Sequence, residues 1–274
     1  MPFIKTRDNV DLYVKDWGSG RPVILTHGWP LNADSWEAQA LALAEAGHRV
    51  IAYDRRGFGR SGQPWSGYDY DSFSDDLAEV IEQTGATDAT LIGFSMGGGE
   101  VARYMSRHGG KGIVKAGLIS SVVAYLLKDE SNPDGVDESV FEDQIKAPIR
   151  ADRHAFFAQF AEQFYGVGFI SSPVSAQVLH AFERLAAQGG IKGILDCVDA
   201  FSRTDFRPDL ASFDVPTLII HGTADKVVPI DPSARQAAAG IASATLIEYD
   251  GEPHGLNVTA QDRLTAELLD FARA

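Results

Sequence analysis

Cysteine is nearly absent: Cys197 is the only one in the 274 residues. One thiol excludes an internal disulfide and fits a reducing compartment. It lies among Ile191, Ile194, Leu195 and Val198, which recur at helical spacing, so a packed thiol is expected there rather than a nucleophile. Positive charge is also scarce. Against 38 Asp and Glu stand 24 Lys and Arg, a formal net charge of −14. Nucleic acid and anionic membranes need a basic face, so neither is an expected partner. Long apolar runs are missing too. The longest, Ala116 to Leu127, contains Ser120 and Ser121 and falls short of the ~20 residues that a membrane helix takes. Met1 to Val10 carries Lys5, Arg7 and Asp8 and no apolar leader segment, so a cytoplasmic location is expected. No His, Cys or carboxylate pair shows metal-ligand spacing, and no metal is expected.

What the sequence does contain is an alternation of strands and helices. Asp11 to Asp16 alternates like a half-exposed strand, and Pro22 to Thr26 and Arg49 to Asp54 are short apolar runs of the kind buried on both faces. Between them Ser35 to Ala46 reads as a helix, with Asp34 and Glu37 at capping-box spacing. Phe73, Leu77, Val80 and Ile81 mark a second helix closed by Gly85. A strand ending near Phe94, a helix from Glu100 and a strand over Lys115 to Val123 follow. The pattern stops near Ala124 and resumes at Pro216 to Ile220, followed by a helix over Pro232 to Ala239, a strand over Ala244 to Tyr249 and a helix from Thr259. Such alternation predicts a parallel sheet covered by helices, interrupted by a helical insertion.

The chemistry is concentrated in Gly93-Phe94-Ser95-Met96-Gly97, a G-x-S-x-G turn between a buried strand and a helix. This is the pattern of a nucleophile elbow, where crowding two residues either side of the serine demands glycine. A serine hydroxyl needs a histidine base and a carboxylate to orient it, in the chain order Ser, acid, His. His254 lies in a loop after the last strand, and Asp225 follows the strand before it. Ser95, Asp225 and His254 are therefore read as nucleophile, orienting acid and general base. His27 and His221, each in a His-Gly pair at a strand exit, read as structural, and Asp231 as a helix N-cap. The Met96 N–H, at the start of the helix, is one expected oxyanion donor; the second comes from the loop after an early strand, here His27-Gly28-Trp29-Pro30. Gly57 to Gly62 matches G-x-G-x-x-G, but Gln63-Pro64-Trp65 follows where a dinucleotide fingerprint opens into a helix, so no nucleotide cofactor is read from it.

With these residues the chain resembles the α/β-hydrolase superfamily, and within it the bacterial cofactor-free haloperoxidases, also described as perhydrolases, aryl esterases and γ-lactamases. The resemblance is carried by Lys15 to Gly20, His27 to Pro30, Tyr53 to Ser61, Gly93 to Tyr104, Thr204 to Asp209 and Pro253-His254-Gly255. It implies a mostly parallel eight-stranded sheet, with a core over 1–123 and 207–274 and a helical cap over 124–206 between strands 6 and 7. It implies an acyl-enzyme on Ser95, formed from small carboxylic or aryl esters or short acids, with no cofactor. Water would release acid; hydrogen peroxide would release a peracid that oxidises bromide or chloride. The same triad would serve a γ-lactamase or amidase, and some members of the fold bind ligands without turnover. The resemblance places the second oxyanion donor at Trp29, whose plain alternative is core packing. Phe156, Phe157, Phe160 and Phe164 recur at helical spacing, a stripe that serves either core or acyl pocket, and the resemblance assigns Phe160 and Phe164 to the pocket with Phe94, Val122 and Val227. Pro30, with fixed φ and no N–H, would shape the loop beside Trp29 and aim a carbonyl at incoming peroxide. No cationic anchor for charged substrates is evident. A homo-oligomer is implied.

Overall fold

The structure, a computed structural model, describes residues 2–169 and 172–273. Eight strands form one sheet in the order β1-β2-β4-β3-β5-β6-β7-β8. They are β1 (Phe3–Lys5), β2 (Asp11–Gly18), β3 (Pro22–Thr26), β4 (Arg49–Tyr53), β5 (Ala89–Phe94), β6 (Ile113–Ile119), β7 (Thr217–Gly222) and β8 (Ala244–Tyr249). β1 and β2 run antiparallel, and every pair from β4 to β8 is parallel. All six residues of β5 and of β7 are buried, as expected for strands with helices on both faces. β1 was not read from the sequence: three residues, only the middle one buried, carry no periodicity.

Helices α1 (Glu37–Glu45), α2 (Tyr70–Thr84), α3 (Met96–Arg107), α4 (Ala147–Phe164), α5 (Ala176–Ala187), α6 (Ile191–Arg203), α7 (Gln236–Gly240), α8 (Leu256–Thr259) and α9 (Gln261–Arg273) complete the fold. The capping expected at Asp34 belongs to Asn32, whose side chain accepts the Asp34 N–H at 2.9 Å. The Asp34 carboxylate pairs instead with Lys15 and Arg60. Asp231 is likewise no N-cap; it faces Arg235 one turn on, at 2.8 Å. α2 ends as expected, with Gly85 left-handed at φ 65°. β6 stops at Ile119, earlier than the apolar run suggests, because Ser120 takes φ 44° and turns the chain.

Between β6 and β7 lie α4, α5 and α6. α4 is kinked at Asp152, whose carboxylate accepts the His154 and Ala155 N–H groups, each at 3.0 Å, and restarts the helix. The restarted turns carry Phe156, Phe157, Phe160 and Phe164, all buried. Three of them and Phe201 of α6 surround the Trp29 ring, with centroids 5.4 to 6.3 Å away. Cys197 sits fully buried on α6. Among the described residues no helix is long and apolar enough to cross a membrane.

Candidate active site

The site starts from the geometry of the β5–α3 turn. Ser95 sits at φ 54° and ψ −120°, a region that costs a non-glycine residue about 1–3 kcal/mol. The turn closes so tightly that a β-carbon on Gly93 would strike the Gly97 and Gly98 backbone, and one on Gly97 would lie 2.6 Å from the Thr26 carbonyl oxygen. Ser95 is held by the sheet itself: its N–H donates to the Ile119 carbonyl at 2.8 Å. The strain aims Oγ out of the sheet, toward the loops that leave β7 and β8.

Those loops deliver the other two groups. Ser95 Oγ lies 2.9 Å from His254 Nε2, and His254 Nδ1 lies 2.7 Å from Asp225 Oδ2. Both partners are buried. The imidazole is enclosed by Phe94, at 5.3 Å between centroids, and by Phe164, edge-on at 4.8 Å. Its loop is tied on both sides. Ser120 donates its hydroxyl to the His254 carbonyl at 3.1 Å, and the Gly255 N–H donates to the Phe164 carbonyl at the end of α4 at 2.8 Å.

Asp225 is held by more than His254. Its Oδ1 accepts the Val227 and Val228 N–H groups, each at 2.8 Å, and Oδ2 lies 3.2 Å from His221 Nε2. Burial pushes the carboxyl up, but the charge of His254 and the hydrogen bonds from both histidines outweigh it, leaving Asp225 well below the usual carboxylate range. His221 donates from Nε2 to the Val228 carbonyl at 2.8 Å, while its buried Nδ1 has no partner among the described residues. It is structural as read, yet it also touches the acid. That contact was missed, and the strand-exit position of the histidine was its only signal.

The loop after β3 passes against the serine: a β-carbon on Gly28 would lie 3.0 Å from Ser95 Cβ. Among the described residues, neither the Trp29 nor the Met96 N–H donates to a backbone acceptor. The loop is anchored from below. The Arg55 N–H donates to His27 Nε2 at 2.9 Å, and the Arg55 guanidinium donates to the His27 carbonyl at 2.6 Å. That guanidinium also pairs with Glu100 of α3, whose other oxygen accepts the Tyr53 hydroxyl at 2.6 Å. Burial, reinforced by the Arg55 charge, keeps His27 neutral far below its ordinary range. On the far side, the Trp29 indole N–H donates to the Ile194 carbonyl of α6 at 3.1 Å.

Above Ser95 is a cavity of about 320 Å³. Of the pocket residues expected from the sequence, Val122, Phe160 and Val227 line it, joined by Trp29. Phe94, Phe164 and Pro30 do not. The first two are fully buried against His254, and Pro30 is buried within the loop after β3. Phe156, of the same helical stripe as Phe160, lines the cavity too. Leu126, Val136, Phe141, Ile145 and Phe201 also line it; they come from separated stretches of the insertion with no shared spacing, which gives the sequence no signal for them. Lys226, a cation that the sequence does not single out, also lines the cavity. Among the described residues, no three His, Cys, Asp or Glu side chains come together as a metal site.

Comparison with known proteins fits this geometry. The sequence profile described as alpha/beta hydrolase fold matches residues 21–260. The chain is 44% identical to a non-heme chloroperoxidase of Kitasatospora aureofaciens, over 99% of each chain. It is 42% identical to a bifunctional esterase/perhydrolase of Acinetobacter calcoaceticus, over 100% of each. A crystal structure of bromoperoxidase from Bacillus anthracis superposes with a TM-score of 0.95 at 44% identity, covering 99% of both chains. With its elbow, sheet order and full-length relatives, the chain belongs to the α/β-hydrolase family and, within it, to the non-heme haloperoxidases and esterase/perhydrolases.

Proposed function

We propose that the chain is a serine hydrolase of small carboxylic and aryl esters that also transfers its acyl group to hydrogen peroxide. The observation that carries the reading is the unbroken line from Ser95 Oγ through His254 to Asp225, at 2.9 and 2.7 Å, at the base of an apolar cavity. Ser95 attacks the ester carbonyl carbon while His254 Nε2 takes its proton. The imidazolium that forms is stabilised by Asp225. The carbonyl oxygen, now carrying the negative charge, is met by the Trp29 and Met96 N–H groups. His254 returns the proton to the leaving alcohol or phenol, giving an acyl-enzyme. Water then attacks the acyl carbon and releases the acid. Hydrogen peroxide attacking in its place releases a peracid, which oxidises halide in solution. Haloperoxidase activity in this scheme is a consequence of acyl transfer, in keeping with the names of the relatives.

In this reading residues 124–206 act as a cap over the core formed by 1–123 and 207–274. Val122, Phe160 and Val227 bound the acyl group, Phe94 and Phe164 keep water from the imidazole, and Pro30 shapes the oxyanion loop. The working form is a cytoplasmic homo-oligomer. The test is a turnover panel on purified protein: para-nitrophenyl acetate with and without peroxide, and bromide oxidation with acetate and peroxide. Ser95→Ala should abolish all three together. If bromide oxidation survived in that variant, the acyl-transfer route to haloperoxidation would be wrong.

A further inference from the structure

The cavity is apolar along its walls and polar at one edge. Apart from Ser95, its polar lining residues are Gln144, Gln163 and Lys226, and these three are the exposed ones. They come from three separate places: the turn before α4, the last turn of α4, and the loop that carries Asp225. Together they form the mouth. Among the described residues, Lys226 is the only charged one lining the cavity. Among the described residues its ammonium has no carboxylate partner; the residue's one side-chain-mediated hydrogen bond is at its carbonyl, which accepts from Gln163 at 3.4 Å. Glu162 and Glu252 line an adjoining outer groove with Lys226, and neither lines the cavity. In a protein of net charge −14, a lone cation at the rim of an apolar chamber is a distinct electrostatic feature.

We propose that this rim is an anion subsite, and that the cavity takes acyl esters carrying a carboxylate at the end remote from the scissile bond, the half-esters of short dicarboxylic acids. The proposal rests on the serine-hydrolase reading and names its substrate class. The ester carbonyl sits at Ser95 and the methylene chain lies along Trp29, Val122 and Phe160. The terminal carboxylate accepts hydrogen bonds from the Lys226 ammonium and the two amides. An apolar wall rewards the methylenes, while a carboxylate left within it would be costly to desolvate, so the charge belongs at the mouth. Charge-assisted bonds in such a half-wet position are stronger than those of a fully exposed pair.

The test compares two substrates of equal carbon-chain length, the mono-para-nitrophenyl ester of glutaric acid and para-nitrophenyl pentanoate. Lys226→Met should lower kcat/KM for the glutarate half-ester about three- to tenfold and leave the pentanoate within about twofold. Lys226→Arg should restore the half-ester, and added salt should erode the difference in the wild type only. Equal effects on both substrates, or none, overturn the subsite. Calorimetric binding of monomethyl glutarate to wild type and Lys226→Met reads the rim without turnover. A weaker fit in the variant supports the subsite even if neither ester is hydrolysed, an outcome that would instead sink the hydrolase reading; unchanged binding overturns the subsite by itself.

Discussion

His221 Nε2 stands 3.2 Å from the Asp225 oxygen that also receives His254 Nδ1 at 2.7 Å, so two histidines share one carboxylate. Every donor on Asp225 withdraws negative charge that would otherwise stabilise the His254 imidazolium. Glu248, opposite His221 in the β7–β8 register, is neutralised by Arg235 and does not offset this. Replacing His221 with Leu should therefore move the acidic limb of the kcat/KM profile to higher pH, because the Asp225 carboxylate then serves His254 alone. Rates on the alkaline plateau should change little, and His221→Gln, which keeps a donor, should lie between. An unmoved limb in the Leu variant would assign His221 to packing alone.

Gly93 cannot accept even a methyl group, since the Gly97 and Gly98 backbone occupies its place. Gly93→Ala should cost about 1–3 kcal/mol of stability and shift Ser95 out of line with His254. Thermal unfolding should report the first effect and kcat/KM the second, with activity falling much further than the melting temperature suggests. Comparable activity in the variant would mean that the elbow relaxes without moving the serine.

Acid stability should follow His27. Its folded form holds out against protonation, whereas the unfolded chain binds a proton below about pH 6.5. The unfolded state then carries more protons than the native one, so stability rises with pH in that window and falls on acidification, by up to about 1.4 kcal/mol per pH unit. Asp225, depressed in the fold, adds its own loss at still lower pH. Urea unfolding between pH 7 and 5 should show the slope, and His27→Gln should flatten it. An unchanged slope would place the linkage elsewhere.

Pro30 follows Trp29, the proposed oxyanion donor, and has no N–H of its own. Pro30→Leu should change the ratio of perhydrolysis to ester hydrolysis, with peroxide losing more than water. Parallel assays of peracid formation and ester cleavage would measure it. A constant ratio would remove Pro30 from the choice of acceptor.

The parts legible in the sequence are those whose causes are local. Pro22 to Thr26 forms a strand as read, because a short apolar run bounded by turn residues has few alternatives; Ala244 to Tyr249 forms one too, although Thr245 and Glu248 interrupt it and only Tyr249 is buried. The elbow is legible because Gly93 answers a clash with Gly97 and Gly98, a few residues on, although the crowding at Gly97 comes from Thr26 of β3. Asp225 and His254 could be found because each leaves its own strand at the sheet end that Ser95 faces. What escaped the sequence depends on distant partners. Asp34 gives up its capping role to Lys15 and Arg60. Phe164 shares the helical stripe of Phe160 but meets His254 and not the cavity, since the last turn of α4 is tied to the Gly255 loop. Leu126, Phe141 and Phe201 become neighbours only once the insertion has folded over the sheet.

The central claim is that acyl groups pass through Ser95 Oγ, and intact-protein mass measured after rapid acid quench tests it most directly. Mixed with para-nitrophenyl acetate, the wild type should gain one acetyl group, located on Ser95 by peptide mapping. Adding peroxide should drain that species faster than water does, with peracid appearing as it decays. The Ser95→Ala protein should gain nothing. An active wild type that hydrolyses the ester with no acetyl on Ser95 at any time, or an alanine variant that keeps its activity, would contradict the account.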